Sequence, residues 1–389
     1  MTHLGPLSGI RVVELGVVIA GPSAAAILGD WGADVVKVEP AGGDPQRGNT
    51  QRAYFELDNR GKRSLTIDLK TDRGRELLTE LIERADVFVT NIRPGALGRL
   101  GLDPARLMAR NRRLVYASIG GYSASGPAAD KPGYDVGAFW SRAGVASALV
   151  GPGNEPDVPR PGLGDHTTAL SLVAGIGAAL VERARTGQGR LVTTSLLRTG
   201  AFVISSDLCA QLAGPPPETG LRRAMYNPLL ACYRAADGRW FWLLGLQVER
   251  HWPRILRAVA REDLLSDERF SSFARILRNG RELIAILDEE FARHTLDEWA
   301  PIFAREDVWW DPVQDLAEVL DDPVVHASGA LVATGAGGRT IAAPVDFAGF
   351  DPGPAQRAPE AGEHTEEILL ELGLDWPDIA ALQSDGVIP

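Results

Sequence analysis

Short apolar runs alternate with helically spaced apolar positions along the first half of the chain. Residues 10–15, 33–38, 65–69, 86–90 and 114–118 are five such runs, rich in Val, Ile and Leu, and each predicts a strand. A break at Gly21-Pro22 precedes a helix expected over 23–29. A second helix is expected over 71–84, where Leu77, Leu78, Leu81 and Ile82 share a face, and a third from Pro104. Strands separated by helices predict βαβ units and a mostly parallel sheet. Ligands of such sheets lie beyond the carboxyl ends of the strands. Those ends fall at 16–23, 39–48, 91–95 and 120–132, all rich in Gly, Pro and polar residues.

A long helix is predicted from about His166 to Arg185, with small residues along it, and a strand at 190–194 after Thr186-Gly187-Gln188-Gly189. The pattern changes at the proline run Pro215-Pro216-Pro217, which reads as a stiff linker. Six of the nine Trp lie beyond it, at 240, 242, 252, 299, 309 and 310, with a strand pair around 236–239 and helices around Trp252 and Ile284. The 389 residues are long enough for two or three domains. The expected class is α/β: the first part of a large domain over 1–212, a linker at 213–224, a smaller α+β domain at 225–325, and a return segment at 326–389. The return segment ends in a helix over 365–372, capped by Gly373, that completes the large domain.

Composition narrows the function classes. The net charge of −11 argues against non-specific nucleic-acid binding, which needs a basic surface. Only four of the 40 basic residues are Lys, namely Lys37, Lys62, Lys70 and Lys131; a GC-rich genome accounts for the bias, although Arg also suits phosphate. Cys209 and Cys232 form no metal-ligand pattern and read as small core residues, as in a reducing cytoplasm. Neither a secretory leader nor an apolar run long enough to span a bilayer is expected, so no membrane partner is expected either.

The chemistry-bearing positions are few. Asp165, in Gly162-Leu163-Gly164-Asp165-His166, precedes the predicted long helix. It reads either as a helix N-cap or as a carboxylate kept ionised by the helix field, able to act as a covalent nucleophile. Asn59-Arg60-Gly61-Lys62-Arg63-Ser64 and Asn91-Ile92-Arg93-Pro94-Gly95, with Arg99, place cations at predicted strand ends. The histidines show no metal-ligand spacing, no serine sits in a nucleophile elbow, and GxGxxG and P-loop motifs are lacking. Trp309 and Trp310 read as core aromatics.

Together these blocks resemble the family III CoA-transferases, the group of formyl-CoA transferase, carnitine CoA-transferase and α-methylacyl-CoA racemase. The match includes Leu7-Ser8-Gly9-Ile10-Arg11-Val12-Val13-Glu14, Ala20-Gly21-Pro22, and Leu28-Gly29-Asp30-Trp31-Gly32-Ala33-Asp34-Val35-Val36-Lys37-Val38-Glu39. It continues through Arg93-Pro94-Gly95, Gly164-Asp165, Thr186-Gly187-Gln188-Gly189 and Gly362-Glu363-His364-Thr365, and is weakest over 213–330. The resemblance implies a Rossmann-like large domain, a homodimer of interlocked rings, and Asp165 as nucleophile. It implies CoA contacts at Val18, Ile67, Asn91, Ile92 and Arg99, with Arg60 and Lys62 nearby. The coenzyme A thioester would be a substrate, with no permanently bound cofactor and no metal.

The implied reaction moves CoA from an acyl-CoA to a carboxylic acid through aspartyl-anhydride and aspartyl-CoA thioester intermediates at Asp165. Pro40 and Ile19 depart from formyl-CoA transferase, as does the lack of its glycine run, and these differences speak against formate and oxalate. Ile19, Tyr134, Phe139 and Trp140 are expected to line a pocket for a bulkier acyl group. A racemase of the same family is the alternative, but where that branch has Gly-His-Asp this chain has Gly133-Tyr134-Asp135, and a phenol of ordinary pKa about 10 is a poor base. A non-catalytic acyl-CoA-binding homologue is a third reading.

Overall fold

Val12 and Val13, like Val35 and Val36, point to opposite faces of one sheet, and both faces are buried. That is why these strands read as continuous apolar runs rather than alternating ones. The computed structural model describes residues 4–48, 52–150, 154–214, 227–335 and 337–389. Six strands, β1 (Arg11–Leu15), β2 (Asp34–Glu39), β3 (Arg63–Thr66), β4 (Val87–Thr90), β5 (Val115–Gly120) and β6 (Leu191–Ser195), pair in the order β3-β2-β1-β4-β5-β6. Every pairing is parallel, with Val12 opposite Val35 on one side and Val87 on the other. The strand order reverses between β1 and β4, which opens a crevice at their carboxyl ends.

Helices cover both faces. On one lie α1 (Ala20–Asp30) and α7 (Leu163–Thr186), whose Ala24, Leu28, Leu172 and Ile176 pack on Val12, Val35, Val87 and Val115. On the other, Val13, Val36, Phe88 and Tyr116 meet α3 (Asp72–Glu83), α4 (Pro94–Leu100), α5 (Pro104–Arg110), α16 (Thr365–Leu372) and α17 (Trp376–Ser384). Gly373 closes α16 in the left-handed conformation, as the sequence predicts. Three expectations change. Gly21-Pro22 does not break the chain but sits in the first turn of α1, where a missing N–H costs nothing. The long helix starts three residues early, at Leu163, so Asp165 is inside it. At 24 residues α7 is also long and apolar enough to cross a membrane by length and composition, contrary to expectation, although one stripe of it is committed to the sheet. The remaining helices up to residue 213 are α2 (Arg52–Asn59), α6 (Val145–Leu149), α8 (Leu196–Val203) and α9 (Ser205–Ala213), with a π-helical turn over Val136–Arg142.

The chain divides into two units: 1–149, 156–208 and 326–389 form one, and 150–155 with 209–325 the other. Most of the expected linker, from 215 on, lies outside the described residues. The second unit is α+β. Its antiparallel sheet, β7 (Cys232–Arg234), β8 (Trp240–Leu243) and β9 (Trp310–Pro312), packs against α10 (Val248–Ala258), α11 (Phe273–Arg278), α12 (Gly280–Phe291) and α13 (Leu296–Glu306). Phe241, Phe291, Trp299 and Phe303 form its centre, with Trp299 and Phe303 stacked at 5.2 Å. Trp309 is not core: it is 43% exposed, lies against His251 and carries the Arg250 guanidinium over its ring. The cysteines are not core either, since Cys209 is exposed and Cys232 half-buried. Helices α14 (Leu316–Asp321) and α15 (Pro323–Ala327) and the hairpin β10 (Leu331–Ala333) and β11 (Arg339–Ile341) complete the order.

Candidate active site

The loop leaving β1 is held in an unfavourable backbone conformation. Val18 has φ +66°, a region that β-branched residues rarely enter. Val18 and the residue before it are both tied down. The Val17 N–H donates to Asn91 Oδ1 at 2.9 Å, and Asn91 Nδ2 donates to the Val17 carbonyl at 2.7 Å. The Val18 N–H donates to Asp44 Oδ1 at 3.3 Å. This places the start of α1, which no side chain caps, at the crevice. A small cavity of about 110 Å³ lies there, lined by Val17, Val18, Ile19, Ala20, Asn91, Tyr134, Asp165 and others.

Asp165 is the third residue of α7, and the N-cap is Gly162, in the left-handed conformation at φ +73°. Capping comes from elsewhere in the chain. Asp135 Oδ2 accepts the Gly164 N–H at 3.3 Å, and the Asp165 N–H also acts on the same carboxylate. The approach is close: a Cβ on Gly164 would lie 2.2 Å from Asp135 Oδ1 and 2.4 Å from the Phe139 ring, so only glycine fits. With the capping role filled by Asp135, the Asp165 carboxylate remains free to face the cavity.

The environment of Asp165 reverses the expectation that the helix field keeps it readily ionised. Burial pushes its pKa up to about 7, and the charges of Asp135 and Asp58 add to the shift while His166 opposes it. Asp135 is itself held above the ordinary carboxylate value by burial, against the Gly164 N–H. His166 Nε2 lies 3.0 Å from Asp58 Oδ1. Burial lowers the basicity of its ring, but the Asp58 bond and charge more than offset this, and its pKa is raised. Three carboxyl groups and one imidazole therefore act on one another around the start of α7.

Beneath the loop lies a buried ion cluster. Lys62 Nζ donates to Glu14 Oε2 at 2.8 Å, the Pro22 carbonyl at 2.8 Å, the Asp58 carbonyl at 2.7 Å and Asn59 Oδ1 at 3.0 Å. Lys37 Nζ donates to Glu14 Oε1 at 3.1 Å and to Asp44 Oδ2 at 2.9 Å. Burial pulls the Lys62 ammonium down to about 8. For Lys37 the charges of Glu14 and Asp44 outweigh burial, and its pKa is raised. The cluster thus runs from Asp44, which holds the Val18 N–H, to the backbone of Asp58, whose carboxylate holds His166.

The structure brings Asp165, Ile19, Tyr134, Val18 and Asn91 to one cavity. Phe139 and Trp140 do not line it; they are buried in the layer beneath, where Phe139 packs under Gly164. The cations are sorted differently from expectation. Lys62 is fully buried and bonded on all sides, so it has no donor left for a ligand. Arg60 is paired with Asp30 at 2.5 Å and borders a separate cavity of about 630 Å³, beside Trp31, Phe347 and Phe350. Ile67 is a core side chain and Ile92 packs against the same core. Arg99 is exposed at the end of α4 and Asn91 serves the loop. Asp135, Asp58, Asp44 and the His166–Asp58 pair are additions that sequence spacing does not reveal, because 108 residues separate His166 from Asp58. The only local signal was the adjacency of Asp135 to Tyr134 and of His166 to Asp165.

The family described as CoA-transferase family III matches residues 7–365. (R)-2-hydroxy-4-methylpentanoate CoA-transferase of Clostridioides difficile is 34% identical over 397 residues, covering 98% of this chain and 99% of that protein. Cinnamoyl-CoA:phenyllactate CoA-transferase of Clostridium sporogenes is 32% identical over 399 residues, covering 97% and 96%. Among solved structures, a CAIB/BAIF family protein from Brucella suis superposes with a TM-score of 0.84 at 31% identity, covering 95% of this chain and all of that one.

Proposed function

The chain belongs to CoA-transferase family III, and we propose that it moves CoA from an acyl-CoA to a carboxylic acid by covalent catalysis at Asp165. The observation that carries this reading is the placement of the Asp165 carboxylate: it lines the cavity at the carboxyl ends of β1 and β4, while another residue does its helix-capping work. In the first step Asp165 attacks the thioester carbonyl. The C–S bond breaks, CoA leaves as the thiolate, and an aspartyl–acyl anhydride remains. The thiolate then attacks the aspartyl carbonyl, releases the donor's carboxylate and leaves an aspartyl-CoA thioester. An acceptor carboxylate attacks that thioester, and the returning thiolate takes the new acyl group and frees Asp165. No net proton is consumed. Oxyanions form at each addition, and the start of α1, which no side chain caps, brings backbone N–H groups to the same cavity.

The acyl group on this reading is bulky and largely apolar. Ile19 and Tyr134 supply apolar wall, and the relatives' names specify a branched and an aryl 2-hydroxy acid, a class that suits such a wall. CoA would lie along Val18, Asn91, Ile92 and Arg99, with the exposed Arg99 guanidinium available to phosphate. The interlocked homodimer and the cytoplasmic setting belong to the same proposal; light scattering should then give about twice the 41.7 kDa chain mass. The test of the reaction is Asp165→Ala. Acyl-CoA binding should survive and transfer should fall by about a thousandfold or more. Undiminished transfer would exclude Asp165 as nucleophile.

A further inference from the structure

Asp135 is 8% exposed, yet one of its carboxylate oxygens, Oδ1, is buried without a hydrogen-bond partner. Its other oxygen holds the first turn of α7 through Gly164, one residue before Asp165. Asp135 lies hard against that turn: a Cβ on Gly164 would come within 2.2 Å of its Oδ1. Here the chain places that carboxylate, on which the Gly164 and Asp165 N–H groups and the Trp140 side chain act, beside a second, reactive one. Two like charges in one poorly solvated site repel, and the repulsion ends when either is neutralised. In both covalent forms proposed above, anhydride and thioester, the Asp165 carboxyl carries no charge.

Resting on the nucleophile reading of Asp165, we propose that Asp135 is a positioning residue with a second effect: it fixes the first turn of α7 and sets its charge against Asp165, so that capture of an acyl group or of CoA relieves the repulsion. The energetic consequence is directional. The free anionic enzyme is raised relative to its covalent forms, which favours attack without any contact between Asp135 and substrate. The charged groups acting on Asp165 come from three places: Asp135 before the π-helical turn, Asp58 on α2 and His166 on α7 itself. The loop before α1 contributes only Val17, Val18 and Ile19, and the Tyr134 phenol completes the titratable groups at the cavity.

The experiment is the pH dependence of kcat/KM for acyl-CoA in the full-length enzyme, Asp135→Asn and Asp165→Asn. Asp135→Asn keeps an oxygen that can accept the Gly164 N–H but removes the charge. Its acid limb should move to lower pH by about half a unit or more, because Asp165 then ionises more easily. Its kcat/KM on the high-pH plateau should fall by about three- to tenfold, because the repulsion no longer raises the free enzyme. A purely structural role would lower activity equally at every pH, so an acid limb that stays in place overturns the proposal. If Asp135→Asn does not fold, Asp135→Ser makes the same test with a smaller oxygen acceptor. Transfer persisting in Asp165→Asn would overturn the nucleophile reading and this inference with it. An inactive Asp165→Asn with an unmoved Asp135→Asn limb would overturn the inference alone.

Discussion

As the proposed nucleophile, Asp165 would work between two opposed demands. A nucleophilic carboxylate must be ionised, but burial and two neighbouring carboxyl groups hold its pKa near 7. A carboxylate whose conjugate acid is weaker is also a stronger nucleophile, so the shift serves the chemistry once the pH is high enough. The kcat/KM for acyl-CoA should therefore rise with pH through about 7 and level off above it, as steady-state rates across pH 5 to 9 would show. His166 pulls in the opposite direction. His166→Gln removes that pull, and its acid limb should lie at higher pH than the parent's. The same shift affects stability. The folded value lies above the ordinary 3.8, so the group's stabilising contribution is complete below that value and is lost as pH rises through about 7. Asp165→Asn should thus raise Tm relative to the parent more at pH 8 than at pH 5, a comparison that differential scanning fluorimetry can make.

Helix α7 shows what sequence reading can and cannot place. Its small residues and its length were legible, as were five of the six parallel strands within a few residues and the sixth, β6, from Leu191-Val192-Thr193-Thr194. Its exact start was not. A Leu-Gly-Asp-His string gives no local sign that capping will come from Asp135, 29 residues earlier than Gly164. The same holds for Gly164, whose necessity lies in a close approach across the fold rather than in its own backbone angles. Gly164→Ala inserts a methyl group against Asp135 and Phe139, and the first turn must shift. The expected cost is about 1–3 kcal/mol in urea unfolding, with loss of most transfer activity. Retention of full activity would show that Asp165 tolerates displacement.

At the scale of the whole α/β unit, the buried ion cluster joins β1, β2, α1, α2 and the residue before β3 to the loop that carries Val18. The sequence shows Lys37, Lys62 and Glu14 only as charges within or beside apolar runs, and the basic block around Lys62 reads naturally as a ligand surface. Burial decides otherwise, and burial is a property of the assembled fold. Lys62→Met would leave Glu14 and Asp44 sharing Lys37 alone in a dry site. Removing one partner of such a cluster costs about 3–5 kcal/mol, so the urea midpoint should fall markedly. An ammonium used only by a bound ligand would instead leave the midpoint unchanged and weaken CoA binding. Arg99→Ala, exposed and unpaired with any described residue, should do the latter.

The most direct measurement of the central claim is chemical. The enzyme is mixed with acyl-CoA alone, quenched with hydroxylamine, digested, and the peptide containing Asp165 is examined by mass spectrometry. Hydroxylamine converts an aspartyl anhydride or aspartyl-CoA thioester to the hydroxamate. The expected result is a hydroxamate at Asp165 that requires acyl-CoA and disappears in Asp165→Asn. An unmodified Asp165 in an enzyme shown to be turning over, or modification at another residue, would contradict it.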